Sequence, residues 1–173
     1  MNEVKLSNPK LPEPWLRGTY TDVPAAQRAV LHALESAKED LELWCAGLTG
    51  EQLNARPAGI APVAFHIRHI ARSTDRLLSY AEGRQLSAEQ LGTLKTELDP
   101  GATSQSLFSE LTEALDLAAT RVRAFTAEQL NDARGVGKKQ LSTTVGGLLI
   151  HVADHAQRHV GQAITTAKIV TAA

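Results

Sequence analysis

The sequence predicts an all-α fold, a four-helix bundle preceded by a proline-rich N-terminal arm. Four long segments place apolar residues three and four positions apart, the repeat that buries one face of a helix. No segment combines alternating polar and apolar residues with the turn chemistry of a hairpin, so β structure is not expected. The 173 residues suffice for one domain with a substantial core. We therefore expect residues 1–173 to form a single helical-bundle domain.

Residues 1–21 are predicted to form the arm. Pro9, Pro12 and Pro14 disfavour a continuous helix there. No apolar run follows the lysines, so the arm lacks the pattern of a secretory signal. Trp15 and Tyr20 are expected to hold the arm against the bundle, and the alternative is that they cover a pocket.

The first helix is predicted over about residues 22–47. Thr21 or Asp22 precedes its start, and Pro24 suits the first helical position. Its apolar stripe is Val30, Leu34, Ala37, Leu41, Trp44 and Leu48. These positions follow one another at alternating steps of four and three, which is typical of a helix in a bundle.

Two further helices are predicted over about residues 62–81 and 105–124. The first of them starts at Pro62, and the other follows a loop through Pro100 and Gly101. Each carries an aliphatic stripe on one face. The stripes are Val63, Ile67, Ile70, Leu77 and Ala81, and then Leu107, Leu111, Leu115, Ala118, Val122 and Phe125.

The fourth helix is predicted over about residues 143–168, with Thr143 as its N-cap. Its stripe is Val145, Leu148, Val152, His155, His159 and Gln162, so two histidines continue a core stripe. Gly146 and Gly147 weaken the helix, which predicts a close approach there by another helix or a ligand.

A short motif recurs in the chain as Thr49-Gly-Glu-Gln-Leu-Asn54, Ser87-Ala-Glu-Gln-Leu91 and Thr126-Ala-Glu-Gln-Leu-Asn131. It fits a local helix start, in which a hydroxyl caps the helix and an acidic residue occupies the first turn. It also fits an internal duplication into two helical pairs. Both interpretations stay open at this point.

Composition excludes several classes of protein. A net charge of −1 and 4% aromatic residues argue against nucleic-acid binding. The least charged stretch, residues 140–153, is too short and too polar to cross a membrane. The single cysteine, Cys45, cannot form an intramolecular disulfide and is expected to be a packed thiol. We therefore expect a cytoplasmic protein with no membrane or nucleic-acid partner.

Five of the six histidines cluster in two helical segments, at His66 and His69 and at His151, His155 and His159. Side chains four residues apart on a helix project about 40° from each other, so His155 and His159 can bind one ion. Three imidazoles leave an open position on a divalent ion, as in a catalytic metal site. The alternative is polar packing, in which every buried ring nitrogen needs a hydrogen-bond partner.

The third ligand is predicted to come from the facing helix, as His66 or His69. The direction of that helix's apolar stripe favours His66, which lies about 60° from it against about 120° for His69. The catalytic residues remain unassigned. Asp75, Arg76 and Asp154 are candidates for proton transfer or orientation, and equally for ordinary ion pairs.

The segment Gly135-Val-Gly-Lys-Lys139 does not match a P-loop, which needs four residues between its glycines and a preceding strand. It is expected to be a flexible loop before the fourth helix. Lys138 and Lys139 are candidates for contact with an anionic substrate.

Two motifs resemble the DinB superfamily of four-helix metalloproteins. One is His69-Ile-Ala-Arg-Ser-Thr-Asp75 with Leu77-Leu-Ser-Tyr80, and the other is His155-Ala-Gln-Arg-His159-Val-Gly-Gln162. The resemblance spans nearly the whole chain and implies that His69, His155 and His159 bind a metal. Val160 departs from the family's frequent Arg without touching a ligand. His66 and His151 would then support the site, face the substrate or replace a ligand.

The resemblance also implies a class of activity. DinB-like proteins are described as metal-dependent hydrolases, and some relatives as S-transferases or isomerases that use low-molecular-weight thiols. We expect zinc or nickel, both of which suit imidazole ligands, a small-molecule substrate or thiol, and a homodimer. The alternative is a non-catalytic, stress-associated metal-binding module, which a fourth protein ligand such as His66 or His151 would favour.

Overall fold

Six α-helices make up most of residues 11–172, the part of the chain that the computed structural model describes. They are α1 (Ala25–Cys45), α2 (Gly50–Asn54), α3 (Val63–Ala81), α4 (Ala88–Leu94), α5 (Ser104–Arg123) and α6 (Val145–Ala172). The long helices α1, α3, α5 and α6 form the bundle, which confirms the predicted helical fold. The first ten residues of the predicted arm lie outside the described residues.

Aliphatic side chains fill the space between the four long helices. Helix α6 packs against α1 and α3, and α5 packs against the same two helices. Each long helix contributes a fully buried residue: Leu41, Ile70, Leu111 and Leu149. Burying a side chain of this size stabilises a fold by roughly 1.5–3 kcal/mol. Leu41, Ile70 and Leu111 belong to the predicted stripes, whereas Leu149 does not. Two residues of the predicted stripes, Trp44 and Gln162, are exposed.

The helix ends differ from the predicted ones by a few residues. Helix α1 begins at Ala25 because Pro24 is its N-cap, so residues 22–24 are not helical. Helix α6 begins at Val145, and its cap is Thr144 in place of the predicted Thr143. The Thr144 hydroxyl accepts a hydrogen bond from the Gly147 backbone N–H at 3.0 Å.

A short antiparallel hairpin corrects the expectation of no β structure. Strands β1 (Ala133–Val136) and β2 (Leu141–Thr144) pair with Ala133 opposite Thr144. Each strand has only four residues, too few for alternation to be recognised in the sequence. Gly137 at φ +68° and Gln140 at φ +50° close the turn. The predicted flexible loop with Lys138 and Lys139 is therefore the exposed tip of this hairpin.

The close approach predicted at the two glycines of α6 involves the protein's own chain. A Cβ atom at Gly146 would lie 3.0 Å from the Leu130 carbonyl oxygen, and one at Gly147 would lie 2.8 Å from the Thr143 hydroxyl. The neighbour at Gly146 is the 3-10 turn Glu128–Asn131. The glycines let this turn and the hairpin pack against the start of α6.

The arm is held against α1 by charge and aromatic contacts. Arg17 donates to both carboxylate oxygens of Glu39 and to Glu35. The Tyr20 ring packs against His32 in a tilted arrangement, with ring centroids 5.3 Å apart. Trp15 contributes less to this attachment, since its side chain is 61% exposed.

The recurring Thr/Ser-x-Glu-Gln-Leu motif forms a helix start at two of its three positions. Thr49 opens α2 and Ser87 opens α4, each with a reciprocal capping box to the glutamine three residues later. At the third position the Thr126 backbone N–H donates to the Gln129 side chain before a 3-10 turn. A local capping role therefore accounts for the motif.

We expect Thr49→Ala to lower the free energy of unfolding by about 1 kcal/mol. The Thr49 hydroxyl accepts from the Gln52 backbone N–H at 3.2 Å, and alanine leaves that donor without a partner. Chemical denaturation followed by circular dichroism measures the change. Thr49→Ser keeps the acceptor and should retain most of the stability, whereas equal losses in both variants would contradict a capping role.

None of the helices in the described part of the chain has both the length and the apolar character needed to cross a membrane.

Candidate metal centre

The packing of α3 against α6 brings three histidines together. One ligand nitrogen from each of His69, His155 and His159 lies within 4.8 Å of the other two. Their ring centroids are 4.4–5.0 Å apart. Within residues 11–172, this is the one group of three or more His, Cys, Asp or Glu side chains close enough to hold an ion.

His66 borders this cluster without belonging to the group of three. Its Nδ1 lies 3.0 Å from Nδ1 of His159, and the residue is 5% exposed. The direction of His66 around α3 therefore correctly predicted that this residue lies beside the cluster. The group close enough to share an ion, however, contains His69. His151 lies further out, exposed, with its ring centroid 5.3 Å from that of His155.

A buried carboxylate that the sequence did not indicate orients His69. Nδ1 of His69 donates to Oε2 of Glu97 at 2.7 Å, and Arg76 donates to the other carboxylate oxygen at 2.8 Å. Glu97 lies in the turn after α4 and is 4% exposed. Metal-binding histidines commonly donate their second ring nitrogen to a carboxylate. Here that bond turns the other ring nitrogen of His69, Nε2, toward the cluster.

Nε2 of His69 faces His155. Their Nε2 atoms are 2.8 Å apart, close enough to share one proton or to approach one ion. Two nitrogens on a tetrahedral zinc ion lie about 3.3 Å apart. His155 also has a buried Nδ1 with no hydrogen-bond partner among the described residues. The donor set therefore fits a divalent cation, and its imidazoles suit zinc or nickel.

The surroundings keep three of these imidazoles neutral at pH 7. Burial, reinforced by the neighbouring His69, lowers the pKa of His66 to about 4 and that of His155 to about 4. The same causes lower the pKa of His159 to about 3. Burial alone would raise the pKa of Glu97, but hydrogen bonds from His69 and Arg76 outweigh it and lower that pKa. A neutral imidazole has the free lone pair that metal binding requires.

We expect the chelator-treated protein to lose stability as the pH falls from about 6.5 to 4. In that range the unfolded chain protonates His66, His155 and His159, while the folded chain keeps them neutral. Each of these histidines lowers the free energy of unfolding by up to about 1.4 kcal/mol per pH unit. Thermal unfolding at several pH values measures the slope.

A matched variant assigns this pH dependence to the cluster. His159→Asn removes one of the three groups and should make the slope shallower, whereas the wild-type slope in this variant would contradict the assignment. The comparison is made without metal because a bound ion also competes with protons.

The cluster lies beside two cavities and under an aromatic ring. Phe65 stacks on His69, with centroids 5.2 Å apart. One cavity of about 220 Å³ is bordered by His69 and His155. Its apolar walls are Leu77, Tyr80, Leu86 and Leu94. The other, of about 540 Å³, is bordered by His66 and contains more polar groups, among them Gln162. Small molecules can therefore approach the cluster from two sides.

Three residues considered for proton transfer have defined partners. Arg76 supports Glu97, as described above. Asp75 binds Arg121 at 2.6 Å, and Asp154 binds Arg158 at 2.7 Å while lying 3.7 Å from His151. Cys45 is fully buried, and burial raises the pKa of its thiol to about 11, as expected for a packed thiol.

The fold and the site define a class: a helical bundle with a half-buried cluster of three histidines between adjacent long helices. The sequence model of the DinB superfamily matches residues 33–163. This chain belongs to the DinB superfamily, as its two histidine motifs predicted.

A crystal structure described as "the conserved protein of locus from Enterococcus faecalis" has a similar fold, with a TM-score of 0.70. It is 24% identical in sequence, and the match covers 85% of this chain and 98% of that chain. No curated protein matches the chain.

Proposed function

We propose that this protein is a metal-dependent enzyme in which His69, His155 and His159 hold a divalent ion, zinc or nickel. The observation that carries the proposal is the convergence of these side chains next to a cavity, with one ligand nitrogen of each within 4.8 Å of the others. When bound, the ion supplies an open position at which water or a low-molecular-weight thiol loses its proton near neutral pH.

The protein's own side chains prepare this site. Glu97 accepts the Nδ1 proton of His69, which directs Nε2 toward the cluster. Arg76 neutralises Glu97, so the carboxylate keeps its acceptor role while buried. Phe65 covers the rings on one side and restricts water. These contacts hold the His69 ring in one orientation and cover the cluster.

The cavity next to His69 and His155 indicates the size of the substrate. A volume of about 220 Å³, bordered by Ser73, Arg76 and His151 as well as by apolar side chains, suits a small molecule that combines an apolar part with a polar group. The reaction is then hydrolysis if the activated group is water, or S-transfer if it is a thiol. The cavity next to His66 provides a separate approach for a thiol.

Cobalt substitution tests the proposal and separates the two reactions. Cobalt-loaded protein is titrated with cysteine, with S-methylcysteine as the matched control and azide as a small-anion probe. A thiolate-to-cobalt charge-transfer band that saturates with cysteine and is absent with S-methylcysteine supports the transferase. A spectrum that responds to azide but not to cysteine supports the hydrolase.

A cobalt spectrum unaffected by either probe would contradict the enzyme proposal. It would mean that a fourth protein ligand occupies the open coordination position of the ion, as in a non-catalytic metal-binding module. His66→Ala then identifies whether that fourth ligand is His66.

A further inference from the structure

A third cavity, of about 490 Å³, lies between the arm, α1 and α6, away from the histidine cluster. Gln157 borders it from α6 and donates to the Ala33 carbonyl of α1 at 2.8 Å. Gln157 is two residues from both His155 and His159, so it projects about 200° from them around the helix. The cavity and the candidate metal centre therefore lie on opposite faces of α6.

Arg28 brings an uncompensated positive charge to this cavity. It lines the cavity and forms no ion pair or side-chain hydrogen bond with any described residue. Its Nε is buried without an acceptor in residues 11–172. The nearby acids Glu35 and Glu39 are bound to Arg17 instead. The guanidinium therefore has no ion-pair partner among the described residues, and an anionic ligand would supply one.

The remaining walls define the rest of the ligand. The α1 side of the cavity presents three alanines, Ala25, Ala29 and Ala33, and the indole of Trp15 borders it from the arm. The indole N–H of Trp15 donates to the Glu13 carboxylate at 2.7 Å. This hydrogen bond restrains the indole ring, although Trp15 is 61% exposed. Small side chains and an aromatic ring on the border of one cavity suit a flat apolar group.

A second polar position lies two helical turns further along α1. Ser36 lines the cavity, and its hydroxyl has no hydrogen-bond partner among the described residues. Arg28 and Ser36 are eight residues apart, or about 12 Å along the helix axis. Ala29 and Ala33 lie between Arg28 and Ser36, and Ala25 lies about one turn before Arg28. His32 also lines the cavity between Arg28 and Ser36, and its Nε2 lies 3.0 Å from the Thr19 hydroxyl. The order of groups is thus a cation, a middle of three alanines and one imidazole, and a hydroxyl.

We propose that this cavity binds a small organic anion, in which a carboxylate or phosphate attached to a flat apolar body pairs with Arg28. The apolar body lies between Trp15 and the alanines of α1, and a polar substituent at the far end reaches Ser36. The volume is in the range of about 300–1,000 Å³ that is typical of small-molecule sites.

Calorimetric titration of the full chain with 2-naphthoate tests the proposal. We expect saturable binding with a dissociation constant of about 1 mM or tighter. Arg28→Gln should weaken it by about tenfold or more, because the charge-assisted bond is lost. Lys38→Gln is the matched control, since it removes a cation from the same helix without altering the cavity lining. Unchanged binding in Arg28→Gln, with circular dichroism showing a folded protein, would overturn the proposal.

Further probes separate the parts of the ligand. 2-Naphthamide keeps the flat body and loses the charge, whereas inorganic phosphate keeps the charge and loses the body. Both should bind more weakly than 2-naphthoate. Naphthyl phosphate distinguishes a phosphate from a carboxylate head. If inorganic phosphate bound as tightly as the aromatic anions, the part of the cavity beside Trp15 would have no role and the proposal would fail.

The candidate metal centre is a competing location for any anion. The double variant His155→Ala/His159→Ala should therefore bind 2-naphthoate with wild-type affinity. Loss of binding in that variant, together with retention in Arg28→Gln, would place the anion at the histidine cluster and overturn the second site.

Discussion

Replacing His159 with alanine is expected to weaken zinc binding by more than about a hundredfold. Loss of a hydrogen bond to a metal ligand alone costs about 10–100-fold, so loss of the ligand should exceed that range. The same result is expected for His69→Ala and His155→Ala, because the three rings form one group. The metal content of the purified protein, measured by elemental analysis, should then fall from about one ion per chain to a small fraction of that.

Two controls make this result specific. His151→Ala alters an exposed histidine outside the group of three and should retain stoichiometric metal. His66→Ala removes the neighbour of His159 and should cause the smaller loss of about 10–100-fold expected for a supporting residue. Stoichiometric metal in all three alanine variants of His69, His155 and His159 would refute the proposed site.

Arg76→Met is expected to destabilise the fold by about 3–5 kcal/mol. Arg76 and Glu97 form an ion pair at 2.8 Å, with side chains only 9% and 5% exposed. Methionine fills much of the same space but leaves the Glu97 charge buried, with His69 as its one remaining side-chain donor. Thermal and denaturant unfolding of the chelator-treated proteins measure the loss without a contribution from bound metal.

The double variant Arg76→Met/Glu97→Gln tests the cause. It removes the buried charge together with its partner, so it should be more stable than Arg76→Met alone. A double variant less stable than the single one would show that packing, not the unpaired charge, causes the loss.

Glu97→Gln alone should also weaken zinc binding by about 10–100-fold, since an amide holds the His69 ring less firmly.

Much of the bundle could be predicted because helical periodicity is local. Leu41, Ile70, Leu111 and Leu149 are all fully buried, and the first three belong to the predicted stripes. The spacing of His155 and His159 likewise placed two imidazoles on one side of α6 before any tertiary contact was known. The hairpin escaped prediction because each strand is four residues long and the pairing depends on the turn between them.

The choice between His66 and His69 depends on how α3 packs against α6. Angles measured around a single helix favoured His66, yet the group of three contains His69, while His66 contacts His159 from the side. A helix can present two neighbouring positions to the same partner when the helices cross, and a sequence contains no direct measure of that crossing.

Local patterns in the sequence were thus sufficient for the four long helices, the two histidines on one side of α6 and the family, but not for the short helices α2 and α4. They could not reveal Glu97, which reaches His69 from 28 positions along the chain, or the cavity in which Trp15, Arg28 and Gln157 meet. The physical reason is that helix formation and amphipathicity repeat over a few residues. A site that joins a turn, an arm and separate helices exists only after the chain has packed.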